Sequence, residues 1–198
     1  MKRFLATVLA LVLGLSLCAA PALAETKDEL VVGLSGLRTA IDPVLANYNT
    51  VSSIGKHIFN TLVKYDTENR VVPEVATGWE RPDELTWVFT VDVDSYQFHN
   101  GDPLTMDDVV FSIARCFDIP QAANYVAGIV DIGYEGNLLT IKTEAPNNKL
   151  LHDLTSLVIV SKKVITEAGE NWAQTAVGTG PYKLVSFIPS NEVVVERY

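Results

Sequence analysis

The 198-residue sequence predicts an α/β fold in the broad sense, with helices set against a mixed β-sheet and an export segment ahead of it. Three observations predict this. Apolar residues recur at three- and four-residue spacing in two stretches, the mark of an amphipathic helix. Elsewhere they alternate strictly with polar residues, the period of a half-buried strand. These strand-like and helix-like segments follow one another without regular βαβ alternation, which points to a mixed sheet.

The export segment comes first. Lys2 and Arg3 precede a charge-free apolar run from Phe4 to Leu17, and small residues follow. That is the layout of a secretory signal peptide. Ala22-Leu23-Ala24 offers small side chains at the positions a signal peptidase must accommodate, so residues 1–24 are expected to be removed and the mature chain to begin at Glu25. Pro21 interrupts the run before the roughly 20 apolar residues that a membrane span needs. Cys18 raises lipid modification as a rival route, giving an anchored cell-surface protein. Bulky Leu17, where that route wants a small residue, favours release into the periplasm.

Residues 25–198 form one predicted domain. Leu30 to Leu34 reads as a short buried strand ending at the Ser35-Gly36 turn, and Ile41-Asp42-Pro43 as a second turn. The helix stripe from Tyr48 to Leu62 is Val51, Ile54, Ile58 and Leu62. A half-buried strand follows at Leu85 to Val91, with Leu85, Trp87, Phe89 and Val91 inward. Tyr96 to Phe98 reads as a further strand ending in the Asn100-Gly101 turn. Thr105 and Asp108 have the spacing of a capping box. The helix they open is expected to run to Phe117, with Val110, Ile113, Ala114 and Phe117 buried. Strands are predicted at Asn137 to Thr143 and Leu157 to Val160, and a helix near 162–168. The Gly178-Thr179-Gly180-Pro181 turn then leads to a hairpin of Tyr182–Phe187 and Val193–Glu196.

The charge balance excludes one class of partner. Without Lys2 and Arg3, the remainder carries 13 Lys and Arg against 24 Asp and Glu. An acidic surface repels phosphate backbones, so nucleic acid is not an expected partner. Catalytic templates fail as well. There is no phosphate-binding Gly-rich loop with its Lys, and no His-Glu-x-x-His pair. His57, His99 and His152 are scattered. Gly33-Leu34-Ser35-Gly36 lacks the residue that a nucleophile elbow needs between serine and the second glycine. Asp107 and Asp108 read as first-turn helix acids. Cys116 reads as a small buried hydrophobe. No cofactor, metal site or catalytic residue is expected.

A set of segments in order resembles a known family. These are IDP at 41–43, IFNTLVKYD at 58–66, VPEVATGWERPDELTWVFTVDVDSYQFHNGDPLTMDDVVFSIAR at 72–115 and VGTGPYKLVSF at 177–187. Together they are similar to the family 5 extracellular solute-binding proteins, the peptide, oligopeptide and nickel-binding receptors of ABC importers. The resemblance implies one lobe of a two-lobed, type II periplasmic-binding-protein-like fold, with residues 25–198 an incomplete N-terminal lobe and the second lobe absent from this chain. It implies a monomer that binds a small ligand, an oligopeptide or dipeptide or else a metal chelate, and delivers it to ABC permease subunits. It places the loop after the first strand, Leu34, Ser35, Gly36 and Leu37, on the ligand cleft. Asn49, Thr50 and Tyr125 are further ligand candidates. The loop at Gly36 reads equally well as an ordinary turn. Trp79, Trp87, Phe89 and Phe98 read as core aromatics, with His99 and Asn100 fixing a turn. The alternatives are a secreted interaction domain, and a secreted hydrolase built on Asp107, Asp108 or Ser35.

Overall fold

A computed structural model of the chain describes residues 30–33, 40–45 and 49–198. The signal segment lies outside the described residues, as does the loop 34–37. Leu30 to Gly33 is described and is not a strand; Leu30, Val31 and Val32 are exposed. An apolar run becomes a strand only where a neighbour takes up its backbone hydrogen bonds, and none of the strand pairings found includes these residues.

Helix α1 spans Asn49–Ile58. It stops one turn short of the predicted end because other partners take the backbone groups beyond it. The Gly180 amide donates to the Ile58 carbonyl, and the Ile159 amide to that of Asn60. The Thr61 amide donates to Glu74 at 2.7 Å. Leu62 is buried as expected, but by the sheet rather than by a helix stripe.

Two short strands follow, β1 (Val63–Tyr65) and β2 (Val71–Pro73), paired with each other. The main sheet comprises β3 (Ala76–Glu80), β4 (Thr86–Val91), β5 (Ile129–Glu135) and β6 (Leu138–Thr143), in the order β3-β4-β6-β5. Its period-two pattern fixes the register. Trp87 stands opposite Ile141 and Phe89 opposite Leu139, and all four are buried on one face. All the strand pairings among the described residues are antiparallel. Strands β1, β2, β3 and β5 carry no strong alternation in sequence; β3 and β5 are strands because β4 and β6 offer them edges, and β1 and β2 because each pairs with the other.

Helix α2 spans Met106–Ala114 and opens with the predicted capping box, Thr105 and Asp108 each bonding the other's backbone amide. After Ala114 the chain tightens into a 3-10 turn, Arg115–Asp118. Three residues per turn instead of 3.6 rotate the stripe. Cys116 therefore takes the buried position, and Phe117, expected inside, is exposed. Beyond it come a 3-10 turn at Ala123–Tyr125, the short helix α3 (Leu150–Leu154) and α4 (Lys162–Ala168). Leu157 to Val160 is buried as predicted but makes only an isolated bridge, Thr61 to Val158. Tyr96 to Phe98 likewise makes only the bridge Gln97 to Pro103.

The last elements are β7 (Tyr182–Ile188) and β8 (Glu192–Arg197), an antiparallel hairpin. Register shifts by one residue between Leu184 and Ser186. This bulge at Val185 lets Leu184 and Phe187, three apart, both pack inward, while Val185 stays exposed.

Two hydrophobic cores result. The larger gathers the sheet, the apolar side of α2 (Met106, Val109, Ile113), and Leu150 and Leu154. The smaller gathers Ile41, Ile58, Phe59, Val158, Val160 and Ala176, with Phe111, Leu184 and Phe187 packed against it. Helix α2 belongs to both.

Candidate functional site

The seam between the two cores is where the polar chemistry of the chain collects. Arg115, at the end of α2, grips Asp42 with both terminal nitrogens, at 2.7 and 3.2 Å. Both side chains are more than nine-tenths buried. The guanidinium also lies over the Trp172 ring, 5.3 Å from its centre. This ties the turn before α1 to the far end of α2. In a dry setting a bidentate pair of this kind fixes geometry more than it adds stability.

Further along α2, Ser112 donates to the Asp108 carbonyl at 2.6 Å and accepts from the Val160 amide at 2.9 Å. The second oxygen of Asp108 accepts the Lys162 amide at 2.8 Å, fastening the start of α4. Asp108 is thus fully engaged in structure. Asp107 accepts from the Tyr134 hydroxyl on the surface at 2.9 Å.

The third tie is built from the turn at 178–180. A Cβ on Gly178 would meet the Ile58 carbonyl oxygen at 2.0 Å, and one on Gly180 would stand 2.7 Å from the same oxygen. Only glycine lets this turn lie flat on the end of α1. Thr179 bonds Asn60 at 2.9 Å, and Asn60 in turn donates to Glu74 at 3.1 Å. Glu74 also receives the Thr61 hydroxyl at 2.8 Å and lies 3.4 Å from Lys64. His99 closes the turn from the other side. Its amide donates to the Gly178 carbonyl at 3.0 Å, its Nδ1 accepts from the Gly178 amide at 3.3 Å, and its Nε2 lies 2.9 Å from the Gly180 carbonyl. Since an N–H points at Nδ1, the ring proton sits on Nε2 and the imidazole is neutral. Burial pushes its pKa below the ordinary value, outweighing the Gly180 bond. Tyr198 packs edge-on against the same ring at 4.9 Å and donates to the Phe98 carbonyl at 3.2 Å. A groove of about 400 Å³ runs beside this tie, lined by Asn60, Ser95, Gln97, Thr179 and Tyr198.

Of the residues singled out as ligand contacts, Leu34, Ser35, Gly36 and Leu37 lie outside the described residues. Asn49 and Thr50 are the first two residues of α1, which packs on β7 beside the smaller core. Tyr125 is half-buried on its 3-10 turn and packs against the larger core instead. The described candidates therefore stand beside different cores. Sequence reasoning missed the Asp42–Arg115 pair, the Glu74 hub and the reach of His99 to residue 178. The partners are 73, 13 and 79 positions apart in sequence, and no local pattern links them.

Bacterial extracellular solute-binding proteins, family 5 Middle, match this chain over residues 70–198. The chain belongs to this family. Periplasmic oligopeptide-binding protein OppA of Haemophilus influenzae is 27% identical over 199 residues, covering 87% of this chain and 37% of that protein. Nickel-binding protein NikA of Staphylococcus aureus is 25% identical, covering 98% of this chain and 38% of its own length. Among solved structures, the binding protein AgaA of A. tumefaciens R10, in complex with agropinic acid, superposes with a TM-score of 0.75 at 25% identity, over 83% of this chain and 35% of that one. This family 5 chain spans a little over a third of the length of the curated relatives it matches. The blocks that carry the likeness, FHNG, DDVVFS and VGTGPY, are those that form the seam. In this chain their side chains and backbone join segments of the two cores, which is why they read as structural.

Among the described residues no helix is long and apolar enough to cross a membrane, and no group of three or more His, Cys, Asp or Glu side chains could hold a metal ion.

Proposed function

We propose that this chain is part of the extracytoplasmic substrate-binding component of an ABC importer, which takes up peptides and hands them to membrane permease subunits. The observation that carries this reading is family membership over residues 70–198, joined to relatives named as oligopeptide-binding, murein peptide-binding and nickel-binding proteins. Export by the N-terminal segment 1–24 puts the protein where such a receptor works, and three of those relatives are named as periplasmic. Residues 25–198 act as a lobe of the receptor, with Leu34 to Leu37, Asn49, Thr50 and Tyr125 contributing to the ligand surface. Backbone groups at such a surface pair with an extended peptide backbone and give affinity without strict side-chain selection.

The protein acts by binding rather than by catalysis. The carboxylates a hydrolase would use are engaged, Asp108 in the cap and at Lys162, Asp107 with Tyr134. The Cys116 thiol is buried, and desolvation pushes it up to about 11, so it is no nucleophile at neutral pH.

Thermal unfolding tests the proposal, on this chain and on the full-length gene product, against pooled di- to pentapeptides and nickel chelates. Ligand that binds only the native state stabilises it by about 2.7 kcal/mol at a hundredfold excess over Kd and so raises the midpoint. A rise with peptides is the expected result. A folded full-length protein that shifts with none of these ligands would end the proposal.

A further inference from the structure

The seam contains one group whose hydrogen-bonding role depends on its own proton count. His99 accepts a backbone N–H at Nδ1 and presents a proton from Nε2 to a carbonyl, and both partners belong to the Gly178–Gly180 turn. That turn is the root of the β7–β8 hairpin, and Tyr198, the residue after β8, packs on the same imidazole. The hairpin is therefore fastened at both of its ends to the segment 97–99 of the sheet body.

We propose that His99 is a proton-operated latch: neutral, it holds the β7–β8 hairpin and the smaller core against the sheet body, and protonated, it releases the 178–180 turn. A proton taken up at Nδ1 occupies the lone pair that the Gly178 amide uses. Two N–H groups then face each other, and one must turn away. The backbone cannot respond by sliding, because Gly178 and Gly180 already rest on the Ile58 carbonyl.

The charged groups around the latch favour the neutral state. From β7, Lys183 repels an imidazolium, and it is partly balanced by Glu196 of β8 at 2.9 Å. Tyr198 contributes a neutral ring, and Lys183 also lies 6.0 Å from the centre of that ring. On the α1 side, His57 meets Tyr182 edge-on, and Glu74 is held by Asn60, Thr61 and Lys64. In its own turn, Asp102 is held by Asn100 and Lys163. Among the described residues no carboxylate is hydrogen-bonded to His99. The direction of the linkage follows: a histidine whose folded pKa lies below its unfolded one stabilises the folded form fully above about pH 6.5, the ordinary imidazole value. That stability is lost as pH falls from there toward the folded value, since the unfolded or opened form takes the proton first. An exported protein experiences the pH of its surroundings, so the latch would loosen the hairpin in acid and leave the sheet closed.

The test is nitrogen-resolved NMR of the imidazole together with amide hydrogen exchange on the whole chain between about pH 5 and pH 7.5, corrected for the intrinsic pH dependence of exchange. The expected result has three parts. Nδ1 is unprotonated at neutral pH. Exchange at Gly178, Gly180 and across β7 and β8 rises several-fold as His99 titrates, while β4 and β6 do not respond. The substitution His99→Asn, whose side-chain oxygen can accept from Gly178 but cannot titrate, flattens the hairpin's pH response. A proton on Nδ1 at neutral pH, hairpin exchange that ignores the His99 titration, or an unchanged pH response in His99→Asn would each overturn the proposal. If His99→Asn fails to fold, the wild-type titration decides alone. None of these readouts needs a ligand, so the latch can fail while the receptor reading stands, and the reverse.

Discussion

The two cores of this chain differ in how they are made. The sheet core is assembled largely from neighbours in a ladder: Trp87 and Phe89 on β4 face Ile141 and Leu139 on β6, and Phe98, Val109 and Ile113 pack over them. The smaller core draws single residues from the turn before α1, the end of α1, the 158–160 segment and Ala176. A ladder supports itself through adjacent hydrogen bonds. A core gathered from scattered segments depends on the ties that bring them together, here Asp42–Arg115, Ser112–Val160 and His99–Gly178. A core held by such scattered ties is expected to open before the ladder does, since regions that move are drawn from the less stable end of a structure.

Substitutions can break this comparison, and the largest effect is expected in the sheet. Phe89 is fully buried and stacks with Trp87 and Trp79. Phe89→Ala should cost about 3–5 kcal/mol, read by chemical denaturation, and should unfold both bodies together. A hairpin that survived it would show that the smaller core stands alone. Next comes Arg115→Ala, which leaves Asp42 buried without its cation. It should cost about 3 kcal/mol, the low end for a broken buried pair, because Asp42 still accepts the Val44 amide at 3.0 Å. Its signature should be regional, with faster amide exchange in α1 than in β4.

Gly178→Ala sharpens the contrast further. The added carbon would collide with the Ile58 carbonyl and the Phe59 ring, and overpacking of this kind costs about 1–3 kcal/mol. The loss should appear first in β7 and β8 by hydrogen exchange, ahead of any change in β6. The smallest of the set is Thr105→Ala, which removes the cap of α2. About 1 kcal/mol should be lost, shared evenly between the bodies because α2 serves both cores. An effect confined to one of them would contradict that role.

The sheet core was legible in the sequence for the same physical reason that it is sturdy. Period-two alternation at 85–91 and the capping box at Thr105 are local signals, and both appear where expected, except that Leu85 lies just before β4 and is exposed. Helix ends were less legible. The end of α1 is set by Gly180 and Ile159, more than 100 positions downstream, and the burial of Phe117 was lost to a change of winding that no spacing rule records. Strands without alternation, such as β3 and β5, were hidden because their partners define them. The order of the blocks at 58–66, 72–115 and 177–187 did carry the family likeness, and with it the fold class. The ligand surface is another matter. Of its expected residues, Asn49 and Thr50 begin α1 and Tyr125 packs against the larger core, a placement that no local pattern in the sequence records.

The most direct test of the proposal that this chain contributes part of a peptide-binding surface is amide hydrogen exchange of the full-length gene product with and without pooled di- to pentapeptides. Ligand-dependent protection is expected at residues 34–37, Asn49, Thr50 and Tyr125, with β4 and β6 unchanged. Protection confined to β4 and β6, or none anywhere in a folded protein at saturating peptide, would contradict it.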